Sequence, residues 1–272
     1  QALRPQPGQA LSAANMRKML AVSEIRDSHR DPDACTRVQD AYSLRCAPQV
    51  AGAVRDTIDH AARVAGWELA SAVDNPVVTL DDRVESNGNF HGAPVAYVLD
   101  FLAIAAADLA SMSERRTDRF LDKARNHGLH AFLADDPGVD SGLMIAQYTQ
   151  AAMVSEMKRL AAPASVDSIP SSAMQEDHVS MGWGAARKLR RSVDALTHVL
   201  TIELLAAARG IQLRAPLRPS PVSAAVIAAL DEVTRTAPGP DRILADDIAE
   251  AVYAVADGSL LAAAEAAAGP LN

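Results

Sequence analysis

From Pro94 onward the chain places Val95, Val98, Leu102, Ala105, Leu109 and Met112 at alternating three- and four-residue steps. A helix satisfies that spacing and a strand does not. The pattern predicts a helix from Pro94 to about Arg125, and a helix of that length with an apolar stripe has to lie against others to bury it. The same spacing recurs in Val50, Val54, Ile58, Ala61, Ala65, Leu69 and Ala72, predicting one buried stripe on an earlier helix. Pro48 biases Ala47 away from helical geometry and suits the first turn of that helix. Of the 272 residues 49% are hydrophobic but only 4% aromatic, with 14 Gly and 15 Pro, so small helix formers dominate the apolar content. The expected fold class is all-α.

The remaining elements follow from punctuation. Gln9 to Val22 reads as a first helix, and Arg26 to Thr36 as a charged loop. Asp74-Asn75-Pro76 ends the second long helix, and Asp81-Asp82 with Asn87-Gly88-Asn89 marks a turn or small hairpin. After the loop at Asp135-Asp136-Pro137-Gly138, a helix is expected over Ser141 to Leu160. A long apolar helix then carries Leu189, Val193, Leu196, Leu200 and Leu204 and stops at Arg209-Gly210. Residues 215–221 read as a linker, followed by shorter helices at Val222 to Thr236 and Asp241 to Ala256. This divides the chain into a long-helix bundle over 1–210, carrying the site residues, and a short-helix region over 211–272.

The formal charge of -8, with no basic face, argues against nucleic acid or an anionic membrane as partner. No apolar run reads as a membrane span, and the opening does not read as a signal peptide. That opening fits a processed terminus or the interior of a longer protein. Cys35 and Cys46 form no CxxC pair and suggest a reducing, cytoplasmic setting.

Gln39, Tyr42 and Arg45 stand three residues apart, so on a helix they share one face. An arginine fork matches a carboxylate and a phenol can relay a proton, which suits a small-molecule acid site; an ordinary amphipathic turn explains the same residues. Gln175-Glu176-Asp177-His178 opens the last long helix, where carboxylates either handle protons or simply cap. Phe90, within Asn89-Phe90-His91, could floor a pocket at a helix start. Glu203 lies among apolar residues and needs a partner, which marks it as a paired bundle residue. No metal site is expected: His178 lacks HExxH spacing, and His127 with His130 has no carboxylate nearby. Gly182-Trp183-Gly184 follows no strand and is not a phosphate loop.

Together, ALRPQPGQ, RVQDAYSLRCAPQV, DNPV, GNFHGAPVA, SMSERR, DSGLMIAQYTQAA, SVDSIPSSAMQEDHVSMGWGAARKLR and IELLAAARGIQLR resemble, in order and spacing, the C-terminal half of an aromatic amino acid ammonia-lyase. That family contains histidine, phenylalanine and tyrosine ammonia-lyases and related aminomutases. The resemblance implies a long antiparallel helix bundle of the fumarase/aspartase-like type, assembled as a homotetramer with sites shared between subunits. It implies removal of ammonia from an L-α-amino acid to give an α,β-unsaturated acid, using the electrophile MIO (4-methylidene-imidazol-5-one) formed from an internal Ala-Ser-Gly. By the same resemblance Arg45 binds the substrate carboxylate, Tyr42 orders the site with Gln39 beside it, and Phe90 packs near MIO. Glu176 then handles protons near the amine, next to Gln175.

Two features bear on substrate. Met174 stands where histidine lyases usually show Asn, and Tyr148 where they carry a small aliphatic residue. Both resemble bacterial tyrosine lyases and aminomutases, so the expected substrate is tyrosine with Tyr148 lining an aromatic pocket; a tyrosine aminomutase and a histidine ammonia-lyase are the alternatives. No Ala-Ser-Gly occurs in the chain, so the N-terminal half of such an enzyme would have to supply MIO and this chain alone would be inactive. The competing reading is a non-catalytic helical scaffold or oligomerisation module.

Overall fold

A computed structural model describes residues 3–33, 35 and 37–272. Ala2 of the opening motif, with Ala34 and Thr36 of the expected charged loop, lies outside the described residues. The described residues are almost wholly helical, as expected, with one two-stranded hairpin.

Three long helices form the frame: α4 (Ala47–Leu69), α5 (Ala93–Leu121) and α7 (Gly182–Gln212), with α6 (Met144–Leu160) between the last two. Ion pairs fix their directions. Asp100 meets Lys188 and Arg116 meets Glu203, so α5 and α7 run parallel, while Gln147 reaches Glu114 from an α6 that runs the other way. Consecutive helices alternate in direction, and the first and third of three are therefore parallel neighbours. The hairpin joins β1 (Val77–Val78) to β2 (Val84–Glu85) where the Asp81-Asp82 turn predicted it.

Of the expected stripe on α5 only Val98 is fully buried, and Val95, Leu102, Ala105, Leu109 and Met112 are half-buried. Val98, Asp100, Glu114 and Leu121 are buried together with Ala96, Ala103, Ala106, Ala107, Ala110, Ser113 and Thr117, and this last line of small side chains lets α6 and α7 approach closely. Ala106, Ala107 and Ala110 pack with Val154 and Met157 of α6 and Val199 of α7. By length and composition α5 would qualify as a membrane span, contrary to the sequence expectation, but α4, α6 and α7 pack along it as they would around a core helix.

On α4 the expected stripe holds at Ala61, which is buried, but not at Ile58 and Leu69, which are exposed, while Gly52 and Thr57, outside it, are buried. The reason is the crossing of α1 (Pro7–Met19). A Cβ on Gly8 would stand 2.3 Å from the Gly52 carbonyl, and one on Gly52 would stand 2.3 Å from the Gln9 nitrogen. Only paired glycines permit that approach of two backbones.

Helix α7 passes through Gly210 to Gln212 instead of stopping there, and Gly210 makes room for the Phe120 ring, 3.1 Å from where its Cβ would be. The expected linker is tied down: Arg218 pairs with Glu24 of α2 (Glu24–Ser28), and buried Ser220 caps α8 (Pro221–Val233). The chain closes with α9 (Ala245–Ala256) and α10 (Ser259–Ala268), which pack with α8 on Leu204, Leu205 and Ala208 of α7.

Candidate active site

Tyr42–Arg45 forms α3, a single turn, and Gln39 precedes it rather than sharing a helical face. The three side chains still meet. Arg45 Nη1 donates to Gln39 Oε1, and the Arg45 guanidinium lies 5.8 Å from the Tyr42 ring centroid, within cation–π range. Arg45 has no carboxylate partner among the described residues, and Tyr42 is 73% exposed. The turn therefore offers an ordered guanidinium fork with a phenol at its side.

Arg116 holds this turn in place. Its Nη1 donates to the Ser43 carbonyl at 3.1 Å, while Nε and Nη2 grip the Glu203 carboxylate, which also accepts from Ser113 Oγ at 2.6 Å. Glu203 is thus the paired bundle residue that its apolar surroundings required. Sequence reasoning missed Arg116, although the need for a cation opposite Glu203 was a signal that one existed. Tyr148 stands one residue after Gln147, whose amide donates to Glu114, so it lies near this end of α5, largely exposed.

Glu176 and Phe90 belong to the other end. Glu176 pairs with Ser171 through both backbones and accepts from Ser171 Oγ at 2.6 Å. Between them Ser172, Ala173 and Met174 all take positive φ, of 51°, 55° and 71°. Three successive non-glycine residues in the left-handed region store strain of about 1–2 kcal/mol each, a cost found where surroundings fix a functional segment. Glu176 sits six residues before α7 begins, so it does not cap that helix; Gln175 lies beside it on the exposed turn.

This loop docks on the start of α5. The His178 ring stacks on His91 with centroids 5.6 Å apart and planes 8° from parallel, and Gly92 leaves room for Ser180 Oγ. The Ala93 N–H points at His91 Nδ1, and His91 Nε2 is buried without a partner among the described residues. Phe90, beside it, is 57% exposed. The histidine stack was not legible in the sequence.

The candidate residues therefore form two groups. Arg116 and Ala93 are about 35 Å apart along α5 at about 1.5 Å per residue. Gln39, Tyr42 and Arg45 serve one end of the bundle, Phe90 and Glu176 the other.

Residues 1–232 match the family model described as aromatic amino acid lyase. The chain belongs to that family. It is 70% identical over 270 residues to histidine ammonia-lyase of Streptomyces avermitilis, across 99% of this chain and 52% of that protein. Identity to the Streptomyces griseus histidine ammonia-lyase is 69% over 272 residues, again 99% of this chain and 52% of the relative. Among solved structures, histidine ammonia-lyase from Trypanosoma cruzi superposes with a TM-score of 0.87 at 39% identity, covering 97% of this chain and 49% of that one. A tyrosine aminomutase from Streptomyces globisporus gives 0.89 at 36%, covering 99% and 54%. This aromatic amino acid lyase chain spans about half the length of the curated relatives it matches.

Proposed function

We propose that the intact protein is a histidine ammonia-lyase, and that this chain supplies two sides of an active site completed by other copies. The observation that carries the substrate is the identity of 70% and 69% to two histidine ammonia-lyases, against 36% to a tyrosine aminomutase. Histidine thus displaces the tyrosine expected from Met174 and Tyr148. Both of those side chains are largely exposed and enclose no aromatic pocket among the described residues.

MIO fits this chain as a neighbour rather than as a product of it. The orphaned, buried His91 Nε2 and the exposed Phe90 ring form a surface that would hold such a group, while no Ala-Ser-Gly is present to make one. The chemistry MIO supplies when bound is electrophilic activation of the substrate, so that ammonia becomes an adequate leaving group. Arg45 binds the substrate carboxylate through its fork, fixing the Cα, and Gln39 holds the guanidinium. Tyr42 covers one side of that pair. Glu176, oriented by Ser171, lies near the substrate amine and handles the proton there as the C–N bond breaks and its electron pair leaves with the nitrogen. The separation of the two groups along α5 requires Arg45 and Glu176 in one site to come from different copies.

The test uses the intact protein with L-histidine or L-tyrosine, following ultraviolet absorbance of the conjugated acid. Histidine is expected to react, and product from tyrosine alone would reject the reading. Arg45→Lys loses a charge-assisted bond worth about 1.5–3 kcal/mol and should raise KM about tenfold or more. Coassembly of Arg45→Ala with Glu176→Gln subunits should restore about a quarter of wild-type activity, the share of sites receiving both native side chains.

A further inference from the structure

Behind the Tyr42–Arg45 turn lies a cavity of about 330 Å³, adjoined by a second of about 370 Å³ that shares Ile25, His29, His127 and Arg214 with it. Ile25, Leu44, Phe120, Leu129 and Ile211 make its walls apolar. Arg26, Arg37, Arg116, Arg119, Arg125 and Arg214 line it, and no Asp or Glu does, although the chain as a whole carries a charge of -8.

Four of these arginines are neutralised nearby: Arg26 by Asp27, Arg37 by Asp40, Arg116 by Glu203, and Arg125 by Asp118 and Asp122. Two are not. Among the described residues the Arg214 side chain donates only to the His127 and Asn126 carbonyls, at 2.9 and 2.7 Å. The Arg119 side chain makes no hydrogen bond or ion pair among the described residues and feels Asp122 only at longer range. Burial, and then the cations Arg37, His29, Arg214 and Arg119, hold the His127 side chain below the usual histidine range, which marks the sign of the field in the cleft.

We propose that this cleft binds a small organic anion, a carboxylate, sulfonate or phosphate on a flat apolar body. The charge is met by Arg119 and Arg214, and the body lies against Phe120, Leu129 and Ile211. Positive charge at an apolar, partly enclosed surface is costly until an anion offsets it. The volume is that of ordinary ligand pockets. Because Leu44 and Arg116 belong to the same wall, the bound anion sits directly behind the turn that carries Arg45.

The intact protein is titrated with 8-anilinonaphthalene-1-sulfonate, following its fluorescence, and in parallel with uncharged N-phenyl-1-naphthylamine. Saturable binding of one sulfonate per chain is expected, weakened about tenfold by Arg119→Leu and by Arg119→Gln but little by Arg119→Lys. The uncharged probe should bind wild type and Arg119→Leu alike. Circular dichroism checks that each variant keeps its helix content, and the Gln variant decides if the Leu variant does not. Absence of saturable binding, as when the rest of the protein fills the cleft, overturns the proposal. So does a sulfonate affinity indifferent to the charge at residue 119.

Discussion

Replacing Glu203 by Gln tests the reasoning most directly, because one side chain joins the bundle core to the candidate site. Glu203 and Arg116 are each 17% exposed at the side chain. Breaking a fully buried pair costs about 3–5 kcal/mol, because the remaining charge is stranded, and the residual solvent contact here lowers that to about 2–3 kcal/mol. Spread over a protein of the length of its relatives, about twice this chain, the loss corresponds to a fall in Tm of about 2–3 °C, measured by circular dichroism on the intact protein. The double variant Arg116→Met with Glu203→Leu removes both charges and lets Ser113 turn its hydroxyl to its own helix, so most of the lost stability should return. Substrate binding should not return, since no guanidinium then holds the Ser43 carbonyl, and KM for histidine stays raised. A Glu203→Gln protein melting within about 1 °C of wild type, or a double variant no more stable than the single one, would refute the argument.

Other outcomes follow from the packing and the charges. Gly52→Ala drives a methyl into the backbone of Gln9, which cannot yield as a side chain would, and should cost about 3 kcal/mol or more by urea denaturation. Gly210→Ala presses on the Phe120 ring, which borders a cavity and can turn into it, and touches Leu129 at ordinary contact distance, so its effect should stay below about 1 kcal/mol, while Gly210→Val costs about 1–3 kcal/mol. For Asp100, burial alone would raise the carboxyl pKa, but the Ser165 N–H and hydroxyl and the Lys188 ammonium outweigh it and leave it lowered. A lowered native pKa contributes stability above the unfolded value near 3.9, lost as pH falls through the native value. Asp100→Asn should therefore be less stable than wild type at neutral pH and show a shallower loss below about pH 4 in urea midpoints taken across pH.

The sequence by itself determined the helices, the hairpin and the family. Periodicity, proline and turn residues act within a few positions, so α5, α6 and the Asp81-Asp82 turn were legible. The run of motifs pointed to the aromatic amino acid lyases because each is a local string. Burial was less legible. Hydrophobicity marked Val95, Leu102 and Ile58, but the closest helix contacts choose the smallest residues, and which face is closest depends on helices far along the chain. Only the tertiary structure decided that Arg116 is the partner of Glu203, 87 residues away, and that unneutralised arginines gather around one apolar cleft. It also decided where the candidate residues lie. Arg45 and Glu176 read as members of one constellation in sequence, yet a rigid α5 keeps their groups about 35 Å apart. A helix fixes its rise per residue locally, but which side chains it holds apart emerges only when loops return to its two ends.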